Sequence, residues 1–370
     1  MSILQLPTET LLCMFDFIDD AKQLIQCSLV CKDWCAPATK AALGKPILIG
    51  SEEQAWRFFN FLSTNERLKR HVKNLKIAGR DIYDWDYMNG EDNLDDDEGN
   101  PCKRILSLVF HENLEVLDGD VDDDYSYNLV LDVATRSNNR FRLKRMPDPS
   151  MQESDAYKEA ALCFKESLEH LYLLITEERS EASVRLFDSL GSLTCLTSIS
   201  LSMEQNNLFE LQKIVNGCPH LQELDIGWIE SVGDMTREEV QQWFRTNDTS
   251  ITCSLKVLKV ANCFSSTPIE YLTLKYAKIE KVSIDMSSYT DHVEAAVANG
   301  IIAEDVILRL VEALNEKVAL YDITFLPDEQ FNPLQNIIFA VLALGNSVNV
   351  SNSPSGNNLK TIMVAPRHRD

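Results

Sequence analysis

Three cysteines near the N-terminus, Cys27, Cys31 and Cys35, recur at steps of four. On one continuous helix that spacing would line them along a single face, so a metal site is the first chemistry to test. A structural zinc site takes four ligands, typically from paired Cys-x-x-Cys or His-x-x-x-His units. No such pairing accompanies these cysteines, and none of the six histidines falls within residues 1–70. Small apolar packing is the reading that remains, and no metal or cofactor is expected.

The second candidate is acidic. Asp81 to Gly99 holds Asp81, Asp84, Asp86, Glu91, Asp92, Asp95, Asp96, Asp97 and Glu98, with Tyr83, Trp85 and Tyr87 interleaved. A calcium loop of the EF-hand type needs carboxylates at positions 1, 3 and 5, Gly at 6 and Glu at 12. Starting from Asp95, position 5 is Gly99 and position 12 is Leu106, so the spacing fails. A long solvated loop over about 81–100 is expected, with a docking arm for a basic partner as its functional alternative. Nucleophile elbows, phosphate-binding Gly loops and His-Glu-x-x-His are all missing. No catalytic residue is assigned, and the chain is expected not to be an enzyme.

Composition narrows the partners. The 370 residues carry 35 Lys+Arg against 57 Asp+Glu, a formal charge of −22. Such a chain repels phosphate backbones and anionic lipid heads, so neither nucleic acid nor a membrane surface is expected as a partner. The apolar run Ile337 to Leu344 is far shorter than the roughly 20 residues of a spanning helix. Met1 to Leu6 has no basic or long apolar stretch of a signal peptide. Ten scattered cysteines suit reduced thiols in the cytoplasm or nucleus better than a disulfide framework.

The elements that position these residues begin with helices over 1–45. Leu11, Leu12, Phe15 and Ile18 make one apolar stripe, and Glu9 suits a first turn. Asp20 and Gln23 look like a capping pair for a second stripe of Leu24, Cys27, Cys31, Trp34 and Ala38. Pro7 fixes the chain ahead of the first helix, while Gly44 and Pro46 punctuate the end. Short helices cannot bury every apolar side chain, so some are left for a partner. Leu6-Pro7-Thr8-Glu9-Thr10-Leu11, then Phe15, Ile18 and Leu24, then Cys27 to Trp34, resembles an F-box. The resemblance implies docking on the Skp-type adaptor of a cullin–RING ubiquitin ligase. It implies that Leu6, Pro7, Leu11, Phe15, Ile18, Val30, Cys31 and Trp34 carry that contact or its supporting core. Thr10 and Met14 depart from the branched apolar residues common there.

Beyond residue 45 a degenerate repeat runs through the chain: apolar, two others, apolar, one other, apolar. Copies are Leu168-Leu171-Leu173, Leu196-Ile199-Leu201, Leu221-Leu224-Ile226, Leu255-Leu258-Val260 and Ile279-Val282-Ile284. Their starts are 28, 25, 34 and 24 residues apart, mostly within the range of about 20–29 for leucine-rich repeats. Weaker copies are Val72-Leu75-Ile77, Val318-Tyr321-Ile323 and Leu359-Ile362-Val364. Leu114 and Leu117 start another that Gly119 spoils. Period-two alternation makes a half-buried strand. Leu208, Leu211, Ile214 and Val215 mark an intervening helix, as do Val306, Leu308, Leu310, Val311 and Leu314. Cys218-Pro219-His220-Leu221, and Leu255 to Cys263, resemble the leucine-rich repeats of F-box proteins.

The expected fold class is α/β: a short N-terminal helical F-box, residues 1–45, then an irregular leucine-rich-repeat solenoid of strand–helix units over 46–370. Strands should line its concave side, and a Ser/Asn-rich loop is expected at about 346–358. The resemblance implies a substrate-recognition adaptor of an SCF-type ubiquitin ligase, holding an unknown protein target for ubiquitination. With no RING-type metal site, it should not recruit the ubiquitin-conjugating enzyme itself. Glu223, Asp225, Lys256 and Lys259, beside the strand anchors, are the candidate substrate contacts. The alternative is a leucine-rich-repeat interaction scaffold acting outside ubiquitin transfer, with the N-terminal helices as its cap.

Overall fold

The computed structural model describes residues 6–78, 101–111, 113–119, 124–136, 142–149, 154–176, 179–203, 207–229, 235–247, 254–261, 266–276, 279–286, 309, 311–314, 318–325, 347–352 and 360–365. The acidic stretch 81–99 lies outside them, as do Val306, Leu308, Leu310 and Cys263. The chain divides into two compact units, Met1–Leu171 and Tyr172–Asp370.

The first unit opens with helices α1 (Thr8–Asp16), α2 (Ala21–Ser28) and α3 (Lys32–Leu43). Strand β1 (Ile47–Ile49), helices α4 (Glu52–Thr64) and α5 (Glu66–Lys69), and strand β2 (Asn74–Ile77) follow. Next come α6 (Pro101–Val109), β3 (Val116–Gly119), α7 (Asp124–Arg136) and α8 (Asp155–Cys163). The three strands make a parallel sheet in the order β1-β2-β3. Ser51 Oγ accepts the Gln54 N–H while Gln54 Oε1 accepts the Gly50 N–H, which satisfies two free donors at the start of α4. Leu75, Ile77 and Leu117 are buried. Gly119 stands where the third anchor is missing, for a steric reason. Its φ is +121°, and a Cβ there would lie 1.7 Å from the Ile77 carbonyl oxygen. Only glycine lets β3 approach β2 so closely.

The second unit is one larger sheet. Its strands are β4 (His170–Ile175), β5 (Ser198–Met203), β6 (Glu223–Ile229), β7 (Val257–Ala261), β8 (Ile279–Met286), β9 (Val318–Phe325), β10 (Ser347–Asn352) and β11 (Lys360–Ala365). Helices α9 (Glu181–Ser189), α10 (Leu208–Gly217), α11 (Arg237–Asn247) and α12 (Thr267–Lys275) separate the strands from β4 to β8. The strand order is β10-β11-β9-β8-β7-β6-β5-β4. From β5 to β9 neighbours are parallel and successive in sequence, as stacked strand–helix units require.

The repeat anchors fall into register. Ile199, Leu224, Leu258, Val282 and Tyr321 stand side by side across five strands. Leu201, Ile226, Val260, Ile284 and Ile323 form a second row two residues on. All ten are buried. Cys218 is buried at a repeat start, and burial pushes its thiol up to about 12. It stays protonated at neutral pH and packs as a small apolar group.

Two expectations change near the C-terminus. Leu359-Ile362-Val364 matches the repeat pattern, but β11 runs antiparallel to β9, so it is no stacked copy. Ile362 and Val364 still bury themselves beside Ile323 and Tyr321, because alternation fixes the face and not the direction. Residues 347–352, expected in a loop, form β10 and pair antiparallel with β11. Val348 and Val350 alternate there with Ser347, Asn349 and Ser351, which is the strand period hidden in a polar composition.

Capping fixes the helices between strands. Asn207 Oδ1 accepts the Phe209 and Glu210 N–H groups at α10. Thr236 and Glu239 bond reciprocally ahead of α11, which holds the Glu239 carboxyl below its ordinary range. Helix α12 is unusual, being buried along nearly all its length, Glu270 and Lys275 included. Arg309 meets Glu270 Oε1 at 3.0 Å and donates to the Met235 carbonyl at 2.7 Å. Lys275 Nζ donates to Asn216 Oδ1. Burial raises the Glu270 pKa, and Arg309 opposes that rise.

Three stability outcomes follow. Leu258→Ala should cost about 2–5 kcal/mol in denaturant unfolding, from lost burial and the cavity left behind. Gly119→Ala should cost more than about 1 kcal/mol, since the backbone must move or strain. Arg309→Ala leaves Glu270 buried without its cation, at about 3 kcal/mol near pH 7. A raised folded-state pKa means the native state takes up its proton first as pH falls. The Arg309→Ala deficit should therefore be largest at neutral pH and shrink as pH approaches the carboxylate's ordinary 4.5. Unfolding curves at both pH values check this.

Candidate partner-docking site

The N-terminal helices form a small core with a clear division of labour. Pro7 is extended at φ −56° and ψ 149°, and its carbonyl accepts the Leu11 N–H to start α1. Asp20 Oδ1 accepts the Lys22 N–H at 2.8 Å and starts α2, the role its position suggested. Cys31 is extended and turns the chain into α3, its carbonyl accepting from Trp34 and Cys35. Lys45 Nζ donates to the Asp16 carbonyl at 3.0 Å, which satisfies a free acceptor at the end of α1.

Leu11 and Phe15 from α1, Leu24 from α2, and Ala38, Ala41 and Ala42 from α3 make the buried centre. Leu6, Ile18, Cys27 and Trp34 pack against it. The rings of Phe15 and Trp34 meet edge to face at 5.4 Å and 73°. Three alanines on α3 let it sit close to the larger side chains opposite.

Cys27, Cys31 and Cys35 do not share a helix face, as their spacing had suggested. Cys27 lies in α2, Cys31 in the break and Cys35 in α3, because the chain leaves helical geometry between Ser28 and Lys32. Cys35 is exposed while the other two are half-buried. Among the described residues no group of three or more His, Cys, Asp or Glu side chains could hold a metal.

The residues named from sequence therefore separate by role. Leu11 and Phe15 are core, at 1% and 2% exposure, and Leu6, Ile18 and Trp34 support it. Cys31 is half-buried, and only Pro7 and Val30 of that set are exposed. The two most exposed large apolar side chains, Phe17 and Leu29, were not among the residues assigned to the contact from sequence. Phe17 is 88% exposed and Leu29 80%, with Ile25 and Met14 also exposed. Phe17 ends α1 and Leu29 ends α2, while Ile25 and Leu29 lie one helical turn apart. The available signal was apolar residues standing off the buried stripe.

A second surface is the sheet face opposite the anchors. In parallel register it carries Ser200, Asp225, Lys259, Ser283 and Asp322 in one row. A neighbouring row carries Ser198, Glu223, Val257, Lys281 and Leu320. Lys259 pairs diagonally with Glu223, and Lys281 with Asp322 at 3.1 Å. Ser283 Oγ also donates to Asp322. Glu223, Asp225 and Lys259 thus share one face. Lys256 is exposed but precedes β7 and stands outside both rows.

Residues 3–43 match the family model described as F-box-like. The chain thus carries an F-box-like domain at its N-terminus, followed by strand–helix units whose strands stack in parallel from β5 to β9. No curated protein matches the sequence. Among solved structures, the chain is similar to the leucine-rich repeat-containing protein LegL7 from Legionella pneumophila. The identity is 14%, the TM-score 0.41, and the alignment covers 82% of this chain and 93% of that one. Among the described residues no helix is long and apolar enough to cross a membrane.

The core and the exposed residues should separate in a melting experiment. Phe15→Ala should destabilise the F-box-like helices by about 3 kcal/mol, through lost burial and the lost Trp34 contact. Phe17→Ser should change stability by less than about 0.5 kcal/mol. Hydrogen exchange of α1–α3 amides in the two variants distinguishes these outcomes.

Proposed function

We propose that the chain is the substrate-recognition adaptor of an SCF-type ubiquitin ligase. The observation that carries this reading is an F-box-like domain whose core is closed while Phe17, Leu29 and Val30 remain outside it. Exposed apolar side chains concentrated on a short helical unit are what a partner's apolar groove takes up. On this reading a Skp-type adaptor covers them, and through it a cullin–RING ligase supplies the chemistry. Leu11, Phe15 and Trp34 hold the shape, and Pro7 and Val30 join the contact. The stacked strand–helix units hold a protein target at a fixed distance, so this chain contributes proximity and orientation rather than catalysis. Its place of work is the cytoplasm or nucleus, where ten scattered cysteines would stay reduced.

The test uses full-length protein. Phe17→Ser with Leu29→Ser should abolish co-purification with a Skp-type adaptor while the melting temperature stays within a few degrees of wild type. Pro7→Ala with Leu11→Ala confuses docking with folding, because Leu11 is core. Wild-type protein that fails to bind any Skp-type adaptor, or surface variants that bind as before, would overturn the assignment. That result would leave an interaction scaffold outside ubiquitin transfer.

A further inference from the structure

Strand β10 stands at one end of the larger sheet, and among the described residues it pairs on one side only. Its six positions, Ser347 to Asn352, pair with β11 in unbroken register. The opposite edge therefore offers a row of backbone N–H and C=O groups to another strand. Edges of this kind are ordinarily blunted by charged side chains, proline or bulges. Strand β10 contains neither a charge nor a proline. Its middle is uncovered on both faces, since Asn349, Val350 and Ser351 are all exposed although successive residues alternate between faces. Val350 is 42% exposed, whereas Ile362, its partner one strand inward, is fully buried.

The order of residues along this edge says what fits it. Ser347-Val348-Asn349-Val350-Ser351 reads the same in both directions. We infer that β10 pairs antiparallel with β10 of a second copy of this chain, about a twofold axis at Asn349. A twofold contact sets one patch against itself, so every residue pairing must also hold in reverse. Centred on Asn349, the serine at 347 stands opposite the serine at 351 and the valine at 348 opposite the valine at 350, while Asn349 meets itself. Parity is kept as well, so valine joins valine on the face of Ile362 and polar residues meet on the other. Charge permits the approach. Residues 347–365 hold a single charged side chain, Lys360, in a chain of −22. Two copies meeting at this edge therefore bring no carboxylates of these strands together. A strand from an unrelated protein would use the same backbone groups but would not account for the symmetry. The pairing stands whether or not the F-box-like domain docks an adaptor.

The experiment is sedimentation equilibrium of the full-length protein over a wide concentration range. A reversible dimer with a dissociation constant on the order of micromolar is expected, because two short edges bury little area. Raised salt should tighten it, since the remaining charge of each copy repels the other. Asn349→Lys or Asn349→Asp sets like charges opposite each other at the axis and should weaken the dimer at least about tenfold. Mixing the two variants pairs opposite charges and should return affinity to within about threefold of wild type. Asn349 is exposed, so both variants should melt with wild type. Phe17→Ser with Leu29→Ser should leave the dimer unchanged, which separates this edge from the apolar surface of the F-box-like domain. A monomer at every concentration overturns the proposal, as does a dimer indifferent to Asn349→Lys. A dimer that loosens as salt rises rests on ion pairs elsewhere and overturns it too. Weakening by both variants without rescue in their mixture overturns the pairing about Asn349, and the proposal with it.

Discussion

Burial of one apolar row beside the next is the constraint on which the larger unit depends. A strand offers alternate side chains to opposite faces, so placing Leu224 and Ile226 in the core commits Glu223 and Asp225 to the other side. Parallel pairing carries that commitment from strand to strand. Leu258 stands beside Leu224 and Val282 beside Leu258, and a slip of one residue anywhere would bury charge and expose leucine. Register is therefore fixed by the core, and the arrangement of polar groups on the open face comes with it.

The F-box-like domain answers a different constraint. About forty residues cannot bury every large apolar side chain they carry. Its core is built from two large residues on α1, one leucine on α2 and a row of alanines on α3. Once those are packed, the helix ends at Phe17 and Leu29 have nothing to pack against within that core. Exposing them costs the fold little, since they would be equally exposed when unfolded. The same residues gain free energy only when something else covers them. Such a domain can be stable and still have its largest apolar surfaces available for a partner.

The legible parts of the sequence were those in which one period governs both location and burial. The anchors from Ile199 to Ile323 could be read because apolar residues at steps of three and two allow one buried face. Strand direction has no such signature, so Leu359-Ile362-Val364 looked like another copy although β11 runs the opposite way. Strand β10 was hidden because its Ser and Asn residues dominate composition while two valines carry the alternation. The cysteine steps of four gave the right period across a break that periodicity cannot see. Lys256 was placed by nearness to an anchor rather than by parity, and parity decides the face. Phe17 and Leu29 went unseen because a search for stripes discards what lies off them.

The diagonal ion pairs join these two levels. Lys259 aligns with Asp225 but bonds Glu223, and Lys281 aligns with Leu320 but bonds Asp322. Each side chain leans two residues along the neighbouring strand instead of standing up into solvent. Pairs as exposed as these add little to stability, because water competes for both ions and the side chains lose freedom. Their effect is positional. A lysine held against the sheet covers one carboxylate, and Ser283 Oγ donates to the same Asp322 oxygen that Lys281 meets. The core determines where each charge stands, and the ion pairs determine which way each lysine leans.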